Sequence, residues 1–263
     1  MRISCVQMNM RAARPDENFA HAEELIREAA GSGRPDVVVL PETWNTGFAP
    51  GKIDPSLADE DGARTKVVFS ALAKELNLNI VAGSVANRRG GRQYNTAFVF
   101  DRTGDCVASY DKTHLFTPMG EDKAFEAGDS LARFRLDGAD CALIICYDIR
   151  FPELARTLAL PGLDLLFVVS QWPSKRIGHL SVLSQARAIE NQMFLALCNS
   201  CGEAFGTQFG GRSAIIDPWG TVLAEAGETE TTIAADADLA VLKEIRGTIP
   251  VFQDRHAALY NLD

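Results

Sequence analysis

The stretch VVVL at residues 37–40 decides the fold, and it runs directly into Pro41 and Glu42. Four consecutive apolar residues without polar alternation predict a strand in a sheet that is covered on both faces. The stretch LLFVV at residues 165–169 is a second run of this kind. Such runs alternate along the chain with amphipathic helical patterns, for example at residues 15–30. The alternation favours a layered α/β fold in which helices cover the sheets.

Gly-containing turns at residues 88–92, 101–105 and 137–138 indicate antiparallel hairpins, so we expect mixed sheets. No linker, repeat or change of composition divides the chain, which predicts a single domain over residues 1–263. The predicted strands cover residues 2–8, 37–40, 80–85, 94–100, 106–110, 131–136, 141–146, 165–169, 193–198, 213–216, 222–224 and 231–235. The predicted helices cover residues 15–30, 65–76, a segment beginning at Pro152, 177–191 and a segment near 239–245.

The composition excludes several classes of protein. Hydrophobic residues make up 46% of the chain and charged residues 23%, as in ordinary globular proteins. The formal net charge of −9 predicts a surface that repels phosphate backbones, so no nucleic-acid partner is expected. No apolar run approaches the roughly 20 residues that span a bilayer, and the N-terminal sequence does not resemble a secretory leader. We therefore expect a cytoplasmic protein without a membrane partner.

The six cysteines do not predict a disulfide framework or a metal site. A chain of this size without a leader rarely carries such a framework. Cys198 and Cys201 have Cys-x-x-Cys spacing, but no second pair accompanies them and the four histidines are scattered. Phosphate-loop, dinucleotide-binding and Gly-x-Ser-x-Gly motifs do not occur in the sequence. We therefore expect neither a metal nor a cofactor.

Three residues whose side chains are suited to catalysis follow apolar strands. Glu42 follows the strand at 37–40, Lys112 follows the one at 106–110, and Cys146 follows the stretch ALII. For each one a simpler interpretation exists: an exposed turn glutamate, a solvated lysine and an inert core thiol. Together they supply a nucleophile, a base for its proton and a cation for developing negative charge. Backbone N–H groups between the strand and the helix at Pro152 are expected to lower the pKa of Cys146 and bind an oxyanion.

Three segments resemble the signatures of the nitrilase, or carbon–nitrogen hydrolase, superfamily. They are PE at residues 41–42, YDKTHL at 110–115 and ICYDIRFPE at 145–153. Further matches, which extend the resemblance over almost the whole chain, are YNTA at 94–97, ARAIEN at 186–191 and DPWG at 217–220.

The resemblance implies an α-β-β-α sandwich with two mixed sheets. It implies a catalytic triad of Glu42, Lys112 and Cys146, and a second glutamate, Glu121, that orients the lysine and the substrate. It also implies homodimers or larger homo-oligomers. The expected reaction proceeds through a thioester, with the oxyanion held by Lys112 and the backbone N–H of Tyr147.

Within the superfamily, CYDIRFPE and QWP at residues 171–173 look most similar to the ω-amidase branch. That branch cleaves the terminal amide of a small carboxylate such as α-ketoglutaramate. A deaminated-glutathione amidase, whose branch shares much of this pattern, an N-carbamoyl amino acid hydrolase and a glutaminase that serves a synthetase are alternatives. Gln171 stands where the ω-amidase branch often has Asn, so the sequence leaves the fine specificity open. A catalytically silent binding or assembly protein on the same fold is an alternative of another class.

The substrate pocket is expected to include Tyr147, Trp172 and Arg176. Arg176 is a candidate for binding the substrate's carboxylate, because it shortly follows Trp172 and Pro173. Arg150 is another candidate, although an ion pair with Glu153 or a nearby acid is an equally good expectation.

Overall fold

A computed structural model describes residues 1–48 and 54–260. Its strands are β1 (Arg2–Gln7), β2 (Val37–Val39), β3 (Asp59–Glu60), β4 (Asn79–Arg89), β5 (Arg92–Phe100), β6 (Cys106–Asp111), β7 (Ala132–Leu136), β8 (Ala139–Ile145), β9 (Leu165–Ser170), β10 (Phe194–Asn199), β11 (Cys201–Ala204), β12 (Thr207–Gly210), β13 (Ala214–Ile216), β14 (Val222–Glu225) and β15 (Thr231–Asp236). Its α-helices are α1 (Pro15–Gly33), α2 (Ala63–Leu76), α3 (Pro152–Ala159), α4 (Ile177–Asn191) and α5 (Val241–Thr248).

Two mixed sheets form the centre of the fold. The first has the order β15-β1-β2-β4-β5-β6, with β3 added to β4, and the second has the order β14-β13-β10-β9-β8-β7. In each sheet three parallel strands lie in the middle: β1, β2 and β4 in the first, and β8, β9 and β10 in the second. Antiparallel strands flank them, as the hairpin turns predict.

The stretch at residues 37–40 shows why the strands are apolar on both faces. Val37 and Val39 join the core that includes the second sheet, whereas Val38 and Leu40 pack with the residues of α1 and α2. Helices α3 and α4 contribute side chains to the core that includes the second sheet. The layers are those of the α-β-β-α sandwich that the resemblance implies. None of the helices in the described ranges has the length and hydropathy needed to cross a membrane.

The predicted element order is confirmed, but several boundaries differ. Strand β4 continues to Arg89 instead of ending at residue 85, because its polar end pairs with β5 through backbone hydrogen bonds that leave no hydrophobic signal. The hairpin of β11 and β12 was not predicted for the same reason. A turn of 3-10 helix, Cys146–Arg150, separates β8 from α3.

Candidate active site

Glu42 lies at the carboxyl end of β2, where Pro41 turns the chain towards the second sheet. Strand β4 approaches this turn so closely that a Cβ at Gly83 would lie 2.0 Å from the Pro41 carbonyl oxygen. The Glu42 side chain is fully buried, and its Oε2 accepts a hydrogen bond from the Gln171 backbone N–H at 2.8 Å. The interpretation of Glu42 as an exposed turn residue is therefore wrong.

Lys112 lies between two carboxylates. Its Nζ donates to Glu42 Oε1 at 2.9 Å and to both oxygens of Glu121, at 3.0 and 2.8 Å. Burial by itself lowers the pKa of Lys112, but the charges of Glu121 and Glu42 outweigh it and raise that pKa well above its usual value. The side chain is therefore a held ammonium group, and the interpretation as a solvated lysine is wrong.

Glu121 completes the cluster through a second set of donors. The Phe116 backbone N–H donates to its Oε2 at 2.6 Å, and the Asn95 side-chain amide donates to Glu121 Oε1 at 3.2 Å and to Glu42 Oε1 at 2.9 Å. Burial and the nearby charge of Glu42 raise the pKa of Glu121, against the opposing effect of Lys112. Sequence reasoning did not assign a role to Asn95, although the match at residues 94–97 contains it.

Cys146 begins the 3-10 turn directly after β8, and its backbone has a φ of +48°. A non-glycine residue in this left-handed region stores about 1–3 kcal/mol of strain. The turn holds the thiol at the strand end, next to the buried carboxylate of Asp148, which accepts a hydrogen bond from the Ile145 backbone N–H at 2.9 Å. The nucleophile candidate therefore sits on its own turn, six residues before the helix at Pro152.

The expectation that backbone groups lower the pKa of Cys146 is wrong for this structure. Burial raises that pKa well above its usual value, and the nearby Glu42 raises it further, whereas Lys112 and Ser170 act in the opposite direction. A charged sulfur is costly in a site that excludes solvent and already contains carboxylates. The resting residue is therefore a thiol, and its activation requires a base.

Asp148 is a site residue that sequence reasoning missed. Its carboxylate is fully buried and also accepts hydrogen bonds from the Tyr110 hydroxyl at 2.8 Å, the His114 backbone N–H at 3.0 Å and His114 Nδ1 at 2.9 Å. These contacts tie the segment that carries Lys112 to the turn that carries Cys146. Asp148 is part of the family segment CYDIR, which is the sequence signal that could have identified it. Most of its hydrogen-bond partners come from a distant segment, so only the fold shows how many it has.

A pocket of about 330 Å³ opens beside Cys146. It contains the three predicted substrate residues and both arginine candidates, and its described lining consists of Phe48, Lys112, Phe116, Met119, Cys146, Tyr147, Arg150, Gln171, Trp172, Pro173 and Arg176. Glu42 and Glu121 do not line this pocket and contact it through Lys112. The site therefore combines a small apolar cavity with a buried charge cluster at its base.

The two arginines rest on aromatic rings. Arg150 lies 4.7 Å from the centroid of the Trp172 ring, and Arg176 lies 5.3 Å from that of Phe116. Arg150 also contacts His179 Nδ1 at 3.2 Å, so the expected ion pair with Glu153 is not formed. Within residues 1–48 and 54–260, neither guanidinium forms an ion pair with a carboxylate. Stacking leaves the N–H edges of a guanidinium available for an anion.

Cys198 and Cys201 lie in the core, away from this pocket. Cys198 Sγ lies within hydrogen-bond distance of two carbonyl oxygens, those of Val6 at 3.1 Å and Val39 at 3.2 Å, and Cys201 Sγ lies 3.9 Å from that of Gln7. In the part of the chain that the structure describes, no group of three or more His, Cys, Asp and Glu side chains is placed to hold a metal ion.

Comparison with known proteins identifies the class. The model of the carbon–nitrogen hydrolase family matches residues 2–247, and the chain belongs to this family. It is a hydrolase of carbon–nitrogen bonds other than peptide bonds. The chain is 43% identical to the 2-oxoglutaramate amidase of Bacillus subtilis (strain 168), with 98% of each chain covered. It is 33% identical to omega-amidase NIT2 of Homo sapiens, with 100% of this chain and 97% of that protein covered.

The solved structures confirm the fold. The CN-hydrolase superfamily protein XC1258 from Xanthomonas campestris superposes with a TM-score of 0.91 at 30% identity, and the comparison covers 100% of this chain and 99% of that one. An amidase of Nesterenkonia sp. AN1, in a glutamate-to-glutamine mutant form, gives a TM-score of 0.84 at 27% identity, with 98% and 95% covered. In that amidase the acetamide moiety of fluoroacetamide is covalently added at the active-site cysteine.

Proposed function

We propose that this protein is an ω-amidase that hydrolyses the terminal amide of a small 2-oxo acid, such as 2-oxoglutaramate (α-ketoglutaramate), to the acid and ammonia. One observation carries the proposal: a pocket with a thiol and a lysine at its base also contains two arginines without carboxylate partners in the described structure. A substrate with an amide at one end and a carboxylate at the other can place the amide at the thiol and the lysine, and the carboxylate at the arginines. The similarity to the 2-oxoglutaramate amidase supports this choice.

In the proposed reaction, Glu42 accepts the proton of Cys146 as Sγ forms a bond to the amide carbon. The carbonyl electron pair moves to oxygen, where Lys112 and the Tyr147 backbone N–H stabilise the negative charge. Glu42 returns the proton to the nitrogen as the C–N bond breaks and ammonia leaves a thioester. A water deprotonated by Glu42 then attacks the thioester, the C–S bond breaks and Sγ regains a proton.

Glu121 acts on this reaction through Lys112. It contacts Nζ with both oxygens, so the ammonium group is held in position and stays protonated. A fixed cation costs no reorganisation when negative charge develops on the substrate, which is the main source of electrostatic catalysis. We therefore assign Glu121 to the positioning of the cation.

Arg176 and Arg150 bind the distal carboxylate and oxo groups in this proposal. Trp172 contributes twice, because its ring supports Arg150 and its Nε1–H donates to the Arg176 carbonyl oxygen at 2.9 Å. The residue therefore supports the Arg150 guanidinium and the backbone of Arg176. Because aromatic side chains and two arginines crowd the pocket, we expect substrates of a few carbon atoms.

We also propose that the chain, as a single domain over residues 1–263, forms a homodimer in the cytoplasm. Val182 and Ile189 lie two turns apart on α4 and are exposed, and Trp219 is exposed in the turn between β13 and β14. The Gln185 side-chain amide donates to the Gly220 carbonyl oxygen at 2.9 Å and holds that turn against the helix. Ile189→Glu is expected to shift the sedimentation coefficient to that of a monomer, whereas a parental value contradicts this use of the surface.

Ammonia release from a panel of substrates tests the proposed activity. We expect 2-oxoglutaramate to be cleaved with a kcat/KM far above those of glutamine, N-carbamoyl amino acids, deaminated glutathione and neutral short amides. Cys146→Ala is expected to abolish turnover with the fold intact, while Cys106→Ala, at an exposed cysteine, stays active. Full activity of Cys146→Ala, or a preference for another member of the panel, contradicts the proposal.

The role of Arg176 has its own test. Arg176→Ala is expected to raise the KM for 2-oxoglutaramate by roughly ten-fold or more, because a charge-assisted hydrogen bond is lost. The KM for a neutral amide of equal length is expected to stay unchanged. Arg135→Ala, which removes a surface arginine outside the pocket, is the matched control. An unchanged KM for 2-oxoglutaramate in Arg176→Ala excludes this role.

A further inference from the structure

Ser170 lies at the carboxyl end of β9, beside the proposed nucleophile. Strands β8 and β9 are parallel, and Ile145, the last residue of β8, is paired with Val169. Cys146, which follows β8, is therefore the neighbour of Ser170, the last residue of β9. The Ser170 backbone is held on both sides, because its carbonyl oxygen accepts the N–H of Glu42 at 3.4 Å and that of Ser200 at 3.0 Å. The position of its side chain is therefore set by the two sheets.

The Ser170 hydroxyl is fully buried and makes no well-directed hydrogen bond to any group in the described part of the chain. A buried polar group without a partner is uncommon in folded proteins, because it loses its bonds to water and gains none. The hydroxyl lies close enough to Cys146 to lower the pKa of the thiol. A neutral thiol is a weak acceptor, whereas a thiolate is a strong one.

We propose that Ser170 is a further catalytic residue, whose hydroxyl donates a hydrogen bond to the Cys146 sulfur whenever that sulfur carries negative charge. Sulfur is charged twice in the cycle. The first time, the S–H proton is moving to Glu42 and the C–S bond is only partly formed. The second time, the C–S bond of the thioester breaks and its electron pair returns to sulfur. Ser170 keeps its own proton in both steps.

This role suits the environment of the thiol. Burial and Glu42 hold the pKa of Cys146 high, and Lys112 opposes them, so the thiolate is scarce. One added donor stabilises the thiolate in the attack and makes sulfur a better leaving group when water attacks the thioester. The inference rests on the proposed function only in that it assigns the nucleophile to Cys146.

Ser170→Ala tests the role, and Ser200→Ala is the matched control, because Ser200 follows the neighbouring strand β10 and its hydroxyl is also buried without a described partner. In Ser170→Ala we expect kcat for 2-oxoglutaramate to fall roughly 10- to 100-fold while KM changes less than about two-fold. Rapid acid quench and mass spectrometry should show more of the enzyme as thioester. Ser200→Ala is expected to keep the parental values.

A substrate-free measurement separates this inference from the choice of substrate. The rate of Cys146 alkylation by iodoacetamide, followed by peptide mass spectrometry as a function of pH, should shift to higher pH in Ser170→Ala and not in Ser200→Ala. Glu42 and Lys112, the charged groups that act on the thiol, are unchanged in both variants. The Tm of Ser170→Ala should equal or exceed that of the parent. A parental alkylation profile, or a Tm well below that of Ser200→Ala, overturns the proposal.

Discussion

The two ends of strand β2 carry clusters of the same composition, one cation and two carboxylates, in opposite environments. At the carboxyl end, the Lys112 cluster consists of Lys112, Glu42 and Glu121, and each side chain is at most 1% exposed. The cluster lies at the base of a pocket, and its polar atoms are shielded from solvent. Burial makes the charge states of these three groups depend strongly on one another, which is typical of functional sites.

At the amino end, the Arg102 cluster consists of Arg102, Asp36 and Asp137. Arg102 Nη2 contacts Asp36 at 2.7 Å and Asp137 at 2.6 Å, and the three side chains are 27–41% exposed. Water screens these charges, so such a cluster contributes little to the stability of the fold.

The pKa directions show the difference most clearly. Burial raises the pKa of Glu121, whereas the hydrogen bond from Arg102 lowers the pKa of Asp137. Both carboxylates face a cation at hydrogen-bond distance, yet their proton affinities change in opposite directions. The comparison teaches that access of solvent, and not the set of residues, separates the proposed catalytic cluster from a cluster of surface ion pairs.

The largest expected effect contrasts Glu42 with Asp36, the carboxylates at the two ends of β2. Glu42→Gln removes the proposed base, and we expect kcat to fall roughly 10³- to 10⁴-fold. Asp36→Asn should leave kcat within about two-fold of the parent. Steady-state release of ammonia from 2-oxoglutaramate measures both. A Glu42→Gln enzyme within ten-fold of the parent breaks the comparison.

The next effect concerns the two cations. In Lys112→Arg the planar guanidinium replaces a compact ammonium that three carboxylate oxygens hold, and we expect kcat to fall about 10²- to 10³-fold. Arg102→Lys should retain kcat and lose at most about 1 kcal/mol of unfolding free energy. Urea titration provides the second quantity. Equal kinetic losses in the two variants contradict the distinction.

A third prediction uses the pH dependence of stability. The pKa of Asp137 is lowered in the folded state, so its ionised form stabilises the fold above the unfolded value of about 4, and this contribution is lost as pH falls through the folded pKa. Asp137→Asn should therefore cost up to about 1 kcal/mol at pH 7, and this cost should shrink as the pH falls below about 4.

Glu121 should behave in the opposite way. Its pKa is raised in the folded state, so its contribution is present below about pH 4 and is lost as pH rises through the folded pKa. The stability of Glu121→Gln relative to the parent should therefore improve as pH rises. Urea unfolding of both variants at several pH values measures how each loss of unfolding free energy depends on pH. If this loss changes with pH in the same direction for Asp137→Asn and Glu121→Gln, the opposite pKa shifts are refuted.

The smallest effect is that of salt. Raising NaCl from 0.1 to 1 M shortens the screening length from about 10 Å to about 3 Å. The coupling free energy between Arg102 and Asp36, measured by a double-mutant cycle, should fall by a few tenths of a kcal/mol. The coupling between Lys112 and Glu121 should not change, because solvent does not reach it. Equal salt dependence would place the two clusters in the same environment.

Much of the fold was predictable because its signals are local. The apolar runs at 37–40 and 165–169 and the turns between hairpin strands depend on neighbouring residues only, and they identify a layered α/β fold with mixed sheets. The hairpin of β11 and β12 was missed because its strands, such as Thr207–Gly210, have little hydrophobic pattern. Its pairing is supplied by backbone hydrogen bonds, which any sequence can make.

The site was predictable in part. The positions of Glu42, Lys112 and Cys146 at strand ends, together with the family segments, identified the three residues that the fold brings together. Asn95 and Asp148 were missed as partners, since their importance lies in what they contact. The predicted lowering of the Cys146 pKa was wrong. A strand end next to a turn predicts free N–H donors, but it does not predict how deeply the thiol is buried.

The sequence by itself determined the types of element, their order, the family and the chemical groups available at the strand ends. The tertiary structure alone decided how those groups behave. It placed two carboxylates against Lys112 without solvent, kept Cys146 as a thiol and set the Ser170 hydroxyl beside it. The physical reason is that strand and helix signals depend on residues a few positions apart, whereas the charge state of a side chain depends on the desolvation and charges that distant segments impose.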